Sequence, residues 1–568
     1  MARRENGAAS GGGEPAGFPS LASLPAPTVS KQADTKPLDI CVVTSEILGP
    51  IKNGGIGTAT SALADHLAAH GHRVSVLYTQ VWGGRPVCHE GDWDDWVTKL
   101  WEKGIRLIAI KHDGPWNAWR EKSLAVRRFL ESQPFNLVYL NEHHASGFYA
   151  LLAKRAGLTP FKDQTYAVIT HGSMEWVSRT NDQPLVHPND IAMALMERRC
   201  VEWADAVIGP SAYLLRTYQS YGWTLPSQTF VQPYLLGSAD TKTQRRAEPI
   251  DELVFFGRLE HRKGLWMFCQ ALDRLAAQGK TPNVTFMGRM TPTGNVPSGA
   301  FLLNRAADWP FRVRLLTEFG QEDALAYLKQ PGKLAVMPSL ADNSPCVVYE
   351  AIELGLPFVT CSGSGADEII HPRDHKVALV EPTAEALADR LADCLENGAK
   401  AARLAFDPSR NQKAWEHWHA TISAKTKAAS AGVVSAGVAS AGAVSDTKKS
   451  SKTQAPHLLL IDDPGEPLGQ IFETIAENAK SFGSTGSISF LTPRQGDLGD
   501  WIDQILDLIA QGTAMDIRRV TTSNASQAVK GKACTVVTSV SARLAAPLIR
   551  HAADLVSRNK DTVFSYLP

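Results

Sequence analysis

From residue 39 to about residue 427, short apolar runs alternate with stretches of helical pattern, and that alternation leaves few folds open. In the first half the runs lie near 39–44, 73–78, 105–110, 136–140, 165–170 and 206–208. In the second half they lie near 253–256, 283–287, 312–317, 333–337, 357–360 and 377–380. Strands that take turns with helices build parallel sheets covered on both faces. Two such groups predict an α/β protein of two parallel-sheet lobes with a cleft between them. In open sheets of this kind, ligands sit outside the carboxyl ends of the strands.

The most informative run within that frame is VMPSLADNSPCVVYEAIELGLP at 336–357. Asp342 and Glu350 stand eight positions apart in it. A strand ends just before the first acid, and a helical pattern carries the second. One carboxylate therefore lies in the loop above the sheet and the other about one turn inside the next helix. The backbone amides around Asn343, Ser344, Cys346 and Val347 open that helix, and a helix start favours an anion or a hydroxyl-rich ligand. The plain alternative is an ordinary capped helix with Glu350 on its surface.

About eighty residues upstream, LVFF at 253–256 runs into Gly257-Arg258-Leu259-Glu260-His261-Arg262-Lys263-Gly264. Gly257 permits a tight backbone turn. Arg258 and Lys263 then flank a helix start near Leu265. Two cations beside a helix N-terminus suit a diphosphate that departs with the bond electrons. A solvated basic turn is the plain alternative.

Two further segments lie in the first half. The strand at 39–44 leads into a loop holding Lys52, Asn53, Gly54 and Gly55, and then a helix. Strand, glycine-rich loop, helix is the shape of a loop that approaches phosphate or sugar oxygens, although the spacing fits neither G-x-G-x-x-G nor a P-loop. The strand at 165–170 is followed by His171, whose plain reading is a hydrogen-bonded core residue. Glu142, His143 and His144 also end a strand and are candidates to line an acceptor cleft. No Glu-x-x-His or His-x-His set accompanies them, so no metal site is expected there.

Taken together, these segments resemble the retaining GT-B glycosyltransferases of group 1 (family 4), which include the sucrose-phosphate, glycogen and starch synthases. The resemblance covers roughly residues 38–427. It implies two Rossmann-like lobes, an acceptor lobe at 38–210 and a donor lobe at 211–427 that includes the crossover. Residues 342–350 resemble the Glu-x7-Glu signature, with Asp342 in place of the first Glu. The resemblance implies that Asp342, with Asn343, Ser344, Pro345, Cys346 and Val347, holds hydroxyls of the donor sugar, and that Glu350 holds the nucleotide ribose. It assigns the diphosphate to Arg258 and Lys263, beside Gly257. Lys52, Gly54 and Gly55 match the KxGG loop that closes over the donor, and His171 inherits a place near the transferred sugar. The implied activity is a hexosyltransferase that uses a nucleotide-sugar donor, UDP- or ADP-glucose, and a saccharide or other hydroxyl acceptor, with no cofactor and no metal. A glycoside phosphorylase, or a catalytically weak glycan- or nucleotide-binding regulatory protein, is the alternative.

The remaining segments are read from composition. The chain has 568 residues, and Lys plus Arg balance Asp plus Glu at 58 each, so no nucleic-acid partner is expected. Eight cysteines without CxxC spacing fit a reducing, cytoplasmic setting. Residues 1–37 read as a disordered Gly/Ala/Ser/Pro tail, and 428–456 as a flexible linker with SAGVV, SAGVA and SAGAV repeats. No run is long and apolar enough for a transmembrane segment. Residues 457–568 read as a small C-terminal α/β domain. Asp462-Asp463 follow its first strand, but no acid follows its third, so it is assigned no activity beyond a possible protein partner. Six tryptophans crowd into 82–119 and are expected to pack an elaborated loop rather than to form a sugar platform.

Overall fold

A computed structural model of the chain describes residues 17–25, 37–51, 54–112, 114, 118–237, 247–293 and 296–436, and five strands between 457 and 566. The first lobe is a seven-stranded parallel sheet of β1 (Asp39–Thr44), β2 (Arg73–Tyr78), β3 (Ile105–Ala109), β4 (Leu137–Asn141), β5 (Thr165–Ile169), β6 (Ala206–Gly209) and β7 (Thr229–Val231), in the order β3-β2-β1-β4-β5-β6-β7. The second lobe is a six-stranded parallel sheet of β8 (Glu252–Phe256), β9 (Asn283–Met287), β10 (Val313–Leu316), β11 (Lys333–Met337), β12 (Phe358–Cys361) and β13 (Leu379–Val380), in the order β10-β9-β8-β11-β12-β13. Each order reverses beside its first strand, so each lobe has a switch point where strand ends open a crevice.

The central strands are buried on both faces, as parallel sheets require. Ile40, Cys41 and Val43 of β1, and Leu253, Val254 and Phe255 of β8, are all fully buried. The twelve strands expected between 39 and 380 are all present, most within a residue or two at each end.

The lobe boundary expected at 210/211 is not where the chain crosses. The helix Ala212–Ser220 and strand β7 still belong to the first lobe, because β7 pairs in parallel with β6. The expectation failed because β7 is only three residues of edge strand, too short for a periodic signal. The tail expected at 1–37 is also partly docked. Leu21 is fully buried, its N–H donates to Gln232 Oε1 at 3.1 Å, and Val231 N–H donates to Pro19 O at 2.9 Å. The rest of that tail, 1–16 and 26–36, lies outside the described residues.

The helix α1 (Gly55–Ala69) follows β1 and faces the cleft with its first turn. A long helix, Pro408–Ala436, returns from the second lobe to the first. Its Trp418 Nε1 donates to Tyr139 OH at 2.9 Å, and its Trp415 Nε1 donates to Pro233 O at 3.2 Å. The helix continues through 428–436, the start of the expected linker; 437–456 lie outside the described residues.

The five remaining strands are His457–Ile461, Ser487–Leu491, Asp516–Val520, Cys534–Thr538 and Val563–Tyr566. They form a third parallel sheet in which the first strand lies between the second and the fourth. Its expected helices and Asp462-Asp463 lie outside the described residues. Trp93, Trp96 and Trp119 pack against the first lobe, while Trp82 and Trp101 are exposed and Trp116 lies outside the described residues. No described helix is long and apolar enough to cross a membrane. None of the seven cysteines whose side chains are described is paired.

Candidate active site

The basic loop and the acid loop of the second lobe meet at one point. After β8, Gly257 takes φ 154°, and the chain makes a short turn over His261–Lys263. Gly264 then adopts φ 79°, and a Cβ there would lie 1.9 Å from the Pro338 carbonyl oxygen. Only glycine lets the turn press against the end of β11 in this way. The result is a Lys263 Nζ 2.5 Å from Asp342 Oδ2. Arg262 backs the same carboxylate at 3.7 Å and donates to Ala341 O at 2.9 Å.

Burial pushes the Asp342 carboxyl up, but the charges of Lys263 and Arg262 outweigh it and hold the group below its ordinary value. Burial pulls the Lys263 ammonium down, and Asp342 opposes that pull. Arg258 is half-exposed, with one ion pair to Glu260 at 3.2 Å. Its charge acts on His143, and it feels the charges of Asp342 and Glu46. It therefore stands at the gap between the lobes, and among the described residues most of its donors are uncommitted.

Glu350 lies one turn inside the helix Cys346–Glu353, and Gln321 Nε2 donates to its Oε1 at 2.5 Å. Burial raises its pKa, and the Gln321 hydrogen bond opposes the rise. The Cys346 thiol, pushed up chiefly by burial, also feels Glu350, Asp342 and Lys263 together. These three groups thus converge around the first turn of one helix. Facing that turn is the glycine loop of the other lobe: Cys346 Sγ lies 3.5 Å from Gly55 O. Gly54 precedes α1, and its N–H donates to Glu46 Oε2 at 2.9 Å. Lys52 and Asn53 lie outside the described residues.

The side chains of Asn343 and Ser344 have other work. Asn343 Nδ2 donates to Thr170 O at 2.9 Å, and its Oδ1 accepts from Ser211 Oγ at 2.6 Å, so it bridges the lobes. Ser344 Oγ pairs with Tyr349 OH at 3.0 Å. The helix opens at Cys346 with Pro345 at its cap, so Asn343 precedes it rather than starting it. Pro345 has no N–H. The first-turn amides of Cys346 and Val347 come before any intrahelical bond can form.

His171 follows β5 as expected, but both ring nitrogens are engaged. Nδ1 lies 2.8 Å from Tyr234 OH and Nε2 lies 2.9 Å from Asn141 Oδ1. A carbonyl oxygen only accepts, so Nε2 carries the proton and Nδ1 accepts from Tyr234. Burial pushes its pKa down to about 3, so the ring is neutral. The ring is a fixed wall, and its orientation is set by residues that sequence reasoning did not find. Tyr234 follows the unexpected strand β7, which left no local signal for it.

Glu142 is fully buried beneath this loop. Its Oε1 accepts from His171 N at 2.6 Å, Gly172 N at 2.7 Å and Tyr218 OH at 2.9 Å. It positions the loop rather than lining a cleft. Glu197 does the same for His144 N at 2.8 Å and Met174 N at 2.5 Å. His143 stacks on His144 with ring centroids 3.8 Å apart and lies toward His171 and Arg258.

Residues 54–233 match the glycosyl transferase 4-like domain, and residues 240–407 match the glycosyl transferases group 1 domain. The chain belongs to the group 1 glycosyltransferases of GT-B architecture. It is 22% identical, over 33% of its length, to a protein named as a teichuronic acid biosynthesis glycosyltransferase (TuaC) of Bacillus subtilis (strain 168). The match spans 48% of that relative, about half its length. Among solved structures it is similar to sucrose-phosphate synthase from Thermosynechococcus elongatus, at 18% identity over 70% of this chain and 99% of that one, with a TM-score of 0.47. It is also similar to Alr3699/HepE of Anabaena, solved with UDP and glucose, at 15% identity over 70% and 99%, with a TM-score of 0.43.

Proposed function

We propose that the chain transfers a hexose, with retention, from a nucleoside-diphosphate sugar to a hydroxyl of a saccharide or another acceptor. The observation that carries this is the convergence of Lys263, Asp342 and Glu350 at one helix start, facing the glycine loop of the other lobe. Lys263 has three N–H donors and Asp342 uses one, which leaves two for a diphosphate. Arg258 adds a planar fork suited to phosphate oxygens. The first-turn amides and Asp342 hold the sugar, and Glu350 accepts from ribose hydroxyls.

In the reaction the acceptor oxygen bonds to the anomeric carbon as the bond from that carbon to the phosphate oxygen breaks. The diphosphate leaves with the electron pair, and the acceptor proton passes to its oxygen on the same face. Lys263 and Arg258 stabilise the charge that develops there. These cations do the electrostatic work a divalent ion would otherwise do, so the transfer needs no metal. UDP- or ADP-glucose is the donor favoured by the resemblance of the Lys52–Gly55 loop. Asp342 is one methylene shorter than Glu, which leaves room for a water between it and the sugar.

A thermal-shift screen of nucleotide sugars, with and without EDTA, tests this reading. A ligand that binds only the folded chain raises the midpoint. A UDP- or ADP-sugar that does so in both buffers supports it. No shift with any nucleotide sugar overturns it.

A further inference from the structure

The far end of α1 carries a second cluster, distinct from the donor cleft. His66 lies in the last turn of α1, and His70, four positions on, is the residue that caps its C-terminus. The return helix Pro408–Ala436 brings Glu416 against them. One ring nitrogen from each histidine and one carboxylate oxygen of Glu416 lie within 4.8 Å of one another. His70 Nε2 is 3.1 Å from Glu416 Oε1.

Two details give this cluster the chemistry of a cation site. His70 Nδ1 lies 2.7 Å from the His66 carbonyl oxygen, so it must donate there. That bond takes up Nδ1 and leaves Nε2 as the ring nitrogen that faces Glu416. Metal-ligating histidines are commonly oriented by such a bond to a backbone carbonyl. His66 Nε2 is shielded from solvent and has no hydrogen-bond partner among the described residues. A shielded polar atom without a partner costs free energy unless something satisfies it. His72 and His419 stand beside the cluster, with their rings 5.3 Å apart. Each is already committed, His72 Nδ1 accepting from Leu38 N–H and His419 Nε2 pairing with Tyr139 OH.

We infer that His66, His70 and Glu416 form a binding site for a borderline divalent cation such as Zn²⁺. Two imidazole nitrogens and one carboxylate are a ligand set that zinc accepts, with water in the fourth position. A tetrahedral site with bonds near 2.0–2.2 Å sets its ligand atoms about 3.3–3.6 Å apart, so atoms that lie within 4.8 Å of one another close by at most about 1.5 Å. The site lies roughly 20 Å along α1 from the glycine loop, at 1.5 Å per residue. It takes no part in the transfer. It clips the return helix to the helix that carries the donor loop, and so ties a segment from the second lobe to the first.

The test uses the full-length chain without a histidine tag. The protein is stripped with chelator, incubated with zinc chloride, desalted and assayed by elemental mass spectrometry and thermal denaturation. One zinc per chain is expected, with a midpoint raised by about 5 °C when zinc stands a hundredfold above its Kd. His70→Ala and Glu416→Gln change an exposed and a half-exposed side chain, so both variants fold. Each is expected to lose the zinc and the shift. Cobalt gives a second readout, with visible d–d absorption in the parent and none in the variants. No zinc retained by the parent overturns the inference, as does equal retention by the double variant. Either result leaves His70 and Glu416 as a simple ion pair.

Discussion

The Nζ of Lys263 lies 2.5 Å from Oδ2 of Asp342, across the mouth of the second lobe's sheet. Each group comes from a different loop, and the two loops are 79 positions apart in the chain. Their meeting is set by β8 pairing directly with β11. Neighbouring parallel strands deliver their following loops to the same edge, so a basic loop and an acidic loop become one site. Asp342 pairs with Lys263 and takes one of its three N–H donors, which leaves two for the diphosphate of the proposed donor.

Removing that lysine is the sharpest test of the site. Lys263→Ala is expected to lower kcat by about 10²–10³, the usual loss when one group that stabilises developing negative charge is deleted. Lys263→Arg is not expected to restore it, because a planar guanidinium cannot occupy a point-charge position beside Arg262. Steady-state kinetics with the donor found by the thermal-shift screen decide the matter. Normal transfer by Lys263→Ala removes the diphosphate role.

The proposed function has Glu350 act on binding rather than on the chemical step. Glu350→Ala is expected to raise the Kd for the free nucleoside diphosphate by about tenfold or more, the loss of a hydrogen bond to a charged group. kcat at saturating donor should change little, since the ribose is held equally in ground and transition states. Gln321→Ala should move the Kd in the same direction by less, because Gln321 only orients the carboxylate. Calorimetry with the nucleotide measures both. A kcat loss at unchanged Kd assigns Glu350 elsewhere.

Most strands of the two lobes were legible because each is a short β-branched or apolar run between turn residues. Asp342, Glu350, Arg258 and Lys263 were legible for a related reason: they stand in loops directly after strands or early in helices, where position along the chain predicts position at the sheet edge. What stayed hidden depends on partners far away in sequence. Gln321 on Glu350, Tyr234 on His171 and Ser211 on Asn343 are pairings that only the sheet order and the lobe contact create. The docking of Leu21 was hidden by its surroundings, since one leucine in a Gly/Pro-rich tail gives no period.

The pH dependence of stability is expected to carry a mark of Glu252. Glu252 and Lys333 pair at 2.5 Å between β8 and β11, and both are buried. Burial pushes the Glu252 carboxyl up, but hydrogen bonds from Lys333, Thr285 and Tyr327 outweigh it and bring the group below its ordinary value of 4.5. A carboxyl lowered in the folded state adds stability above its unfolded pKa and loses it as pH falls through the folded pKa. The parent should therefore lose stability below about pH 4.5 more steeply than Glu252→Gln. At neutral pH that variant should be weaker by about 3 kcal/mol, because it strands the Lys333 ammonium. Denaturation midpoints between about pH 3 and pH 7 check both points. Parallel curves for the two proteins contradict the assignment.

Asn343 is expected to control how tightly the lobes close. Its amide makes two buried bonds across the lobe junction, to Thr170 O and Ser211 Oγ. Gly365 packs so closely behind it that a Cβ there would lie 1.4 Å from Asn343 O, so the residue cannot shift backward to find other partners. Asn343→Ala deletes both bonds at a net cost of about 1–3 kcal/mol. If the closed state alone has those bonds, the closed fraction falls by about 5- to 150-fold relative to the open one. An open cleft admits water, so donor hydrolysis should rise relative to transfer. The ratio of free hexose to transferred hexose in a single assay reads this directly, and small-angle scattering should show a larger radius of gyration. An unchanged ratio with an unchanged radius means the lobes are held by the return helix instead, through Trp415 and Trp418.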